Sequence, residues 1–200
     1  DEIDFENVGF ALKMPQDSLF VRTMLPKTTL KNGVIDLKEA SYYVKSFGID
    51  NAELAYGPKE ELFLQQIGLQ LDSIYYCGKD IRANIEEFVL KERSGLELVS
   101  TEGRIVSDSV LIEIPKFTMK TTASSLDLQT KIGWDVLEMK KTGVLSAKIN
   151  AEIGKGDVAK ILGGRDTLFL QTYPNKPFVF RADAEGDLKR LRLRTLEAGL

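Results

Sequence analysis

From Val110 to Trp134 apolar residues recur at every second position: Val110, Ile112 and Ile114, then Phe117 and Met119, then Leu126, Leu128, Ile132 and Trp134. Leu145, Ala147, Ile149, Ala151 and Ile153 repeat the spacing. Successive side chains of a strand point to opposite faces, so period two predicts strands with one apolar and one wet face. Carried along the whole chain, the pattern predicts a mostly β fold of about a dozen antiparallel strands, each about five to ten residues long.

Turn chemistry divides these runs at short intervals. Asn32-Gly33 is expected to form a tight hairpin between Thr29-Leu30 and Val34-Ile35, because both residues tolerate positive φ. Ser94-Gly95, Glu102-Gly103 and Gly186 supply further expected breaks. Two stripes change phase, one after Pro115 and one from Leu188 to Leu191 and Leu193 around Arg190. A one-residue slip would turn every side chain over, so a bulge or bend is expected at each. Bends of this kind let a sheet wrap into a trough. One short helix is expected from Asp157 to Leu162, with Asp157 as N-cap, Gly163 as terminator and an end-closing role. The adjoining Gly163-Gly164-Arg165-Asp166 corner lacks the spacing of a phosphate-binding motif.

Composition narrows the chemistry. Two hundred residues with 43% hydrophobic content suit one β-rich unit over 1–200. A net charge of −3 offers no basic footprint for nucleic acid. Cys77 stands alone, so an internal disulfide is excluded. The absence of histidine removes the usual neutral-pH acid/base, the Ser-His-Asp triad and the commonest zinc ligand. Carboxylate pairs from Asp127, Asp135, Glu138, Glu60 and Glu61 could be nominated for glycosidase-type work, but nothing in their spacing selects a pair. The expectation is therefore no enzyme, no catalytic residue, no cofactor and no metal site. Lys189, Arg190, Arg192 and Arg194 form a basic strip, and three of them suit the outward positions beside Leu191, Leu193 and Leu196, the alternative being contact with anionic headgroups. Trp134, Tyr42, Tyr43, Tyr75, Tyr76 and Phe10 suit core or edge filling. The chain opens on Asp1 and carries no uninterrupted apolar run of membrane-spanning length, so it reads as a piece of a longer chain.

Certain stretches resemble a known family. Phe88 to Leu98 (FVLKERSGLEL), Ile112 to Ser125 (IEIPKFTMKTTASS), Ile153-Gly154 with Gly156-Asp157-Val158, and Ala184 to Leu193 (AEGDLKRLRL) are similar to the AsmA-like TamB family in its Bacteroides-type form. The resemblance runs from about Ile35 to Leu200 and rests on loose β patterns without an invariant site. It implies an internal segment of a β-taco, a long sheet folded into a trough with an apolar interior, in the periplasm. The parent would be anchored in the inner membrane by a segment absent here. It would carry phospholipid between inner and outer membrane, support outer-membrane biogenesis, and meet an outer-membrane barrel of the TamA type through regions outside this chain.

On that expectation, phospholipid acyl chains are the partner, and Leu69, Leu71, Ile81, Ile85, Ile112, Ile114, Phe117, Met119, Leu126, Leu128, Ile132, Leu145, Ile149 and Ile153 form the trough floor. The alternative is a β-sandwich binding or adhesin-type module, in which the same residues fill a closed core and loops such as Gly163 to Pro177 carry specificity.

Overall fold

The computed structural model describes residues 1–14, 19–57, 61–139, 143–163, 165–187 and 189–199. They form one curved antiparallel sheet of eleven strands that does not close on itself. In chain order the strands are β1 (Glu2–Met14), β2 (Leu19–Asp36), β3 (Ser41–Tyr56), β4 (Leu62–Cys77), β5 (Asp80–Glu92), β6 (Glu97–Ser107), β7 (Leu111–Thr121), β8 (Ser125–Gly133), β9 (Leu145–Ile153), β10 (Phe178–Gly186) and β11 (Leu191–Gly199). Spatial order equals sequence order, so the sheet is a pure meander. Alternate connections therefore emerge at opposite rims.

β1 to β7 run 11 to 18 residues, longer than the sequence pattern suggested, because some expected turns lie inside paired strands, while β8 to β11 have the expected length at 9 residues each. Asn32-Gly33 is not a hairpin: it lies inside β2, with Asn32 in the left-handed region at φ 51°. Glu102-Gly103 likewise lies inside β6. Ser94-Gly95 does form the β5–β6 turn, and Gly186 does end β10. Asn7, Asn51, Gln66 and Ser73 also take positive φ, and each fills a gap in strand pairing. Pro26, which has no N–H to donate, faces Asn7 in the gap between Glu6↔Lys27 and Val8↔Leu25. The expected slip after Pro115 is a register shift between Ile114 and Phe117. At the second expected slip, Leu188 lies outside the described residues and Arg190 belongs to the β10–β11 turn. The irregularity of that hairpin comes later, opposite Asp183 and Ala184, where Arg194 is the extra residue.

Three turns on one rim share a device. Asp36, Asp108 and Asp187 each accept two backbone N–H bonds from residues two and three positions on. Those bonds hold the Asp108 and Asp187 carboxyls below their ordinary values.

Helix is present as three short pieces rather than one. α1 (Trp134–Leu137) makes Trp134 a helix residue instead of a strand filler; its indole donates to the Asp108 carbonyl at 2.7 Å. α2 (Lys155–Leu162) begins earlier than expected, with Gly154 as N-cap and Gly163 as left-handed C-cap. α3 (Thr167–Thr172) follows, capped by Asp166. Asp157 is no cap. It sits buried in the first turn of α2 and accepts hydrogen bonds from Thr121, Thr122 and Ser124 of the β7–β8 turn. The helix is thereby latched to one rim of the sheet.

Candidate apolar groove

Directly paired residues of an antiparallel ladder share a face. Following the pairing across the sheet yields Ile3, Leu30, Phe47, Leu71, Ile85, Gly103, Phe117, Leu128, Ile149, Ala182 and Leu196 as one unbroken row over all eleven strands. Not one member is polar. At about 4.8 Å per strand the ten steps span about 48 Å. Gly103 is the narrow place, because the Phe117 ring lies across it: a Cβ there would stand 2.9 Å from Phe117 Cδ2.

A second row runs from Ile35 through Tyr42, Tyr76, Ile81, Ser107, Ile112, Ile132, Leu145 and Gly186 to Leu191. A third joins Thr101, Met119, Leu126, Ala151, Phe180 and Ala198. Leu69 pairs with Ile49 and Phe88, Ile114 with Thr130, and Ile153 with Phe178. All fourteen residues nominated from the sequence therefore lie on one face. The nomination left out the share of β1, β2, β3, β6, β10 and β11. Ile3-Asp4-Phe5 and Leu191-Arg192-Leu193 carry the same period-two signal and would have disclosed β1 and β11.

The opposite face is a lattice of charges. Glu113 pairs with Lys131 at 2.9 Å, Arg181 bridges Asn150 and Glu197 at 3.3 Å each, and Lys31 meets Glu2 at 3.0 Å. Arg194 pairs with Glu185, so this part of the basic strip lies on the solvated face. Such exposed pairs contribute little stability. Asp127 shares this face opposite Thr118 and Asn150, Asp135 lies in α1, and Glu138 pairs with Lys79 at 3.1 Å. Glu60 lies outside the described residues. The cavities on this side are shallow; one of about 290 Å³ is lined by Glu113, Lys131, Lys148, Asp183, Glu185 and Arg194. Among the described residues no group of three His, Cys, Asp or Glu side chains could hold a metal. No helix there is long and apolar enough to cross a membrane.

What covers the apolar face decides what it can do. Among the described residues there is one sheet and no second layer. Among the described residues only Ala52, Ala55 and Val136 are buried apolar residues, and no large side chain is fully buried. Thirteen of the nominated floor residues are half-buried and Ile153 is exposed. The accessible surface, 13161 Å², exceeds the about 9,400 Å² of a compact monomer of 22.4 kDa by nearly 4,000 Å². The sheet thus keeps its apolar side largely in the open, whereas the sandwich alternative needs a second sheet.

No protein family, curated protein or solved structure matches this chain.

Proposed function

We propose that this chain is a section of a bridge-like lipid carrier whose apolar face holds phospholipid acyl chains. The observation that supports it is the unbroken apolar row across eleven strands on a face over which, among the described residues, no second sheet lies. An open apolar face of this area is costly in water, at about 25 cal/mol per Å². A hydrocarbon occupant relieves that cost. Moving a sixteen-carbon chain into water costs on the order of 12 kcal/mol, at about 0.8 kcal/mol per methylene. The row offers the same chain a continuous apolar surface, so it need never be fully hydrated.

The side chains suit sliding. Leu, Ile, Phe and Ala provide area and dispersion without directional bonds, so a chain can slide from one position on the row to the next. The charged outer face keeps the sheet soluble while the inner face carries cargo. TamB-type, AsmA-like carriers of the periplasm, with an inner-membrane anchor and an outer-membrane barrel as partner, are the family setting we assign to it. The sequence resemblance alone supports that assignment.

Mass spectrometry of lipid extracted from the purified chain tests the proposal. Phospholipid should be recovered from the native chain and lost from an Ile112→Asp variant that retains the native circular dichroism. A lipid-free native chain would overturn it.

A further inference from the structure

The tyrosines of the apolar face differ in place from most of its phenylalanines, although Phe178 also stands at a strand end, opening β10. The face's interior carries phenyl rings, with Phe5, Phe47, Phe88 and Phe117 in or beside the central row. Its tyrosines stand only at the ends of strands. Tyr42 opens the apolar face of β3 and Tyr56 closes it, and Tyr76 lies at the same rim as Tyr42. The remaining strand tyrosines, Tyr43 and Tyr75, face the polar side, where Arg82 stacks on Tyr75 at 5.4 Å. Tyr42 and Tyr76 form a pair with ring centroids 6.0 Å apart, inclined at 42° and flanked in their row by Ile35 and Ile81. Tyr42, Tyr76 and Tyr56 are 43%, 46% and 48% exposed, so each has part of its surface in water.

A phenol sits where apolar surroundings meet water, its ring against hydrocarbon and its hydroxyl in the polar layer. The dimensions fit a lipid lying across the wall. The fourteen residue steps from Tyr42 to Tyr56 make about 46 Å of strand at about 3.3 Å each. Measured from the centre row at Phe47, that contour gives one wall of about 16 Å to Tyr42 and one of about 30 Å to Tyr56, each enough for the about 15 Å of hydrocarbon in one bilayer leaflet. We propose that the Tyr42–Tyr76 pair is the subsite where the ester end of a glycerophospholipid passes from the apolar face into water, with Tyr56 as its counterpart on the other rim. This rests on the acyl-chain reading of the face. A neutral hydroxyl donates to an ester or phosphate oxygen without selecting the charge of the rest of the headgroup, so the subsite sets the depth of the lipid rather than its headgroup class.

Trp134 is the only tryptophan, which makes fluorescence quenching a usable ruler. In a Trp134→Phe background, Tyr42→Trp and, separately, Tyr76→Trp report the rim, while Phe47→Trp reports the centre row, with Phe88→Trp as a second centre reporter. The probes are phosphatidylcholines brominated near the ester end or near the methyl end of the acyl chain. The rim tryptophans should be quenched more by the ester-side label and the centre tryptophans more by the methyl-side label. Equal or reversed quenching at the rim, with the centre still quenched, would overturn the subsite and leave the groove standing. No quenching at the centre by either label would remove the groove and the subsite together.

Discussion

Replacing Leu128 with Asp separates an open wall from a sealed core. Leu128 lies mid-row between Phe117 and Ile149 and is half-buried. A fully buried leucine contributes about 1.5–3 kcal/mol by removal from water, so half burial puts the loss at about 1–1.5 kcal/mol. The poor strand propensity of aspartate adds up to about 1 kcal/mol. The carboxylate can reach water across the open face, so the unpaired-charge penalty that a dry core would impose is not added. The expected total is about 2 kcal/mol, which urea denaturation followed by circular dichroism can resolve. Lipid retention should fall far more than stability, because the charge interrupts the apolar row that crosses all eleven strands. A loss above about 5 kcal/mol, or failure to fold, would show that Leu128 is enclosed and refute the open-face argument. Unchanged lipid content in a folded Leu128→Asp chain would refute the path.

Three further outcomes are expected. The hydroxyls of Thr101 and Thr28 are buried without a partner on the apolar face, so Thr101→Val should raise the urea midpoint by an amount equivalent to about 1 kcal/mol. Gly103→Val should cost about 1–3 kcal/mol in the same assay, because its side chain would meet the Phe117 ring and the Lys116 carbonyl. Burial opposes the charge of Asp157, but hydrogen bonds from Thr121, Ser124 and Thr122, with Lys160, outweigh it and hold the carboxyl below its ordinary 3.8. A depressed folded value means the latch is fully in place above pH 3.8 and is lost as pH falls through that lower value. Amide exchange of α2 should therefore be protected at neutral pH, and Asp157→Ala should abolish that protection at a local cost of roughly 2–3 kcal/mol.

The face assignment was legible because period two survives in the segments between bulges. Ile112, Ile114, Phe117 and Met119 show why: the stripe slips once at Pro115, and the bulge restores its side. Hairpins were less legible. Asn32-Gly33 satisfies the same local preference for positive φ inside a strand as in a turn, and the choice depends on whether the partner strand continues opposite it, as Val44 and Ser46 of β3 do. The same ambiguity shortened the expected strands of the first half of the sheet, where β1 to β5 run 13 to 18 residues. Asp157 was misplaced because an acid before an apolar turn looks like a cap. Its actual partners, three hydroxyls more than thirty residues away, leave no local trace. The Tyr42–Tyr76 rim was hidden for a related reason: a tyrosine at a strand end has the same sequence signature whether it borders a core or a lipid.

The meander order has a mechanical consequence. Each strand pairs only with its immediate predecessor and successor, so the molecule behaves as a chain of coupled hairpins, and its cohesion is a sum of neighbour terms. A structure of that kind yields by peeling from an outer strand instead of collapsing at once. It can also be lengthened by inserting hairpins without rewiring any existing contact, so its length is free to vary while its fold stays the same.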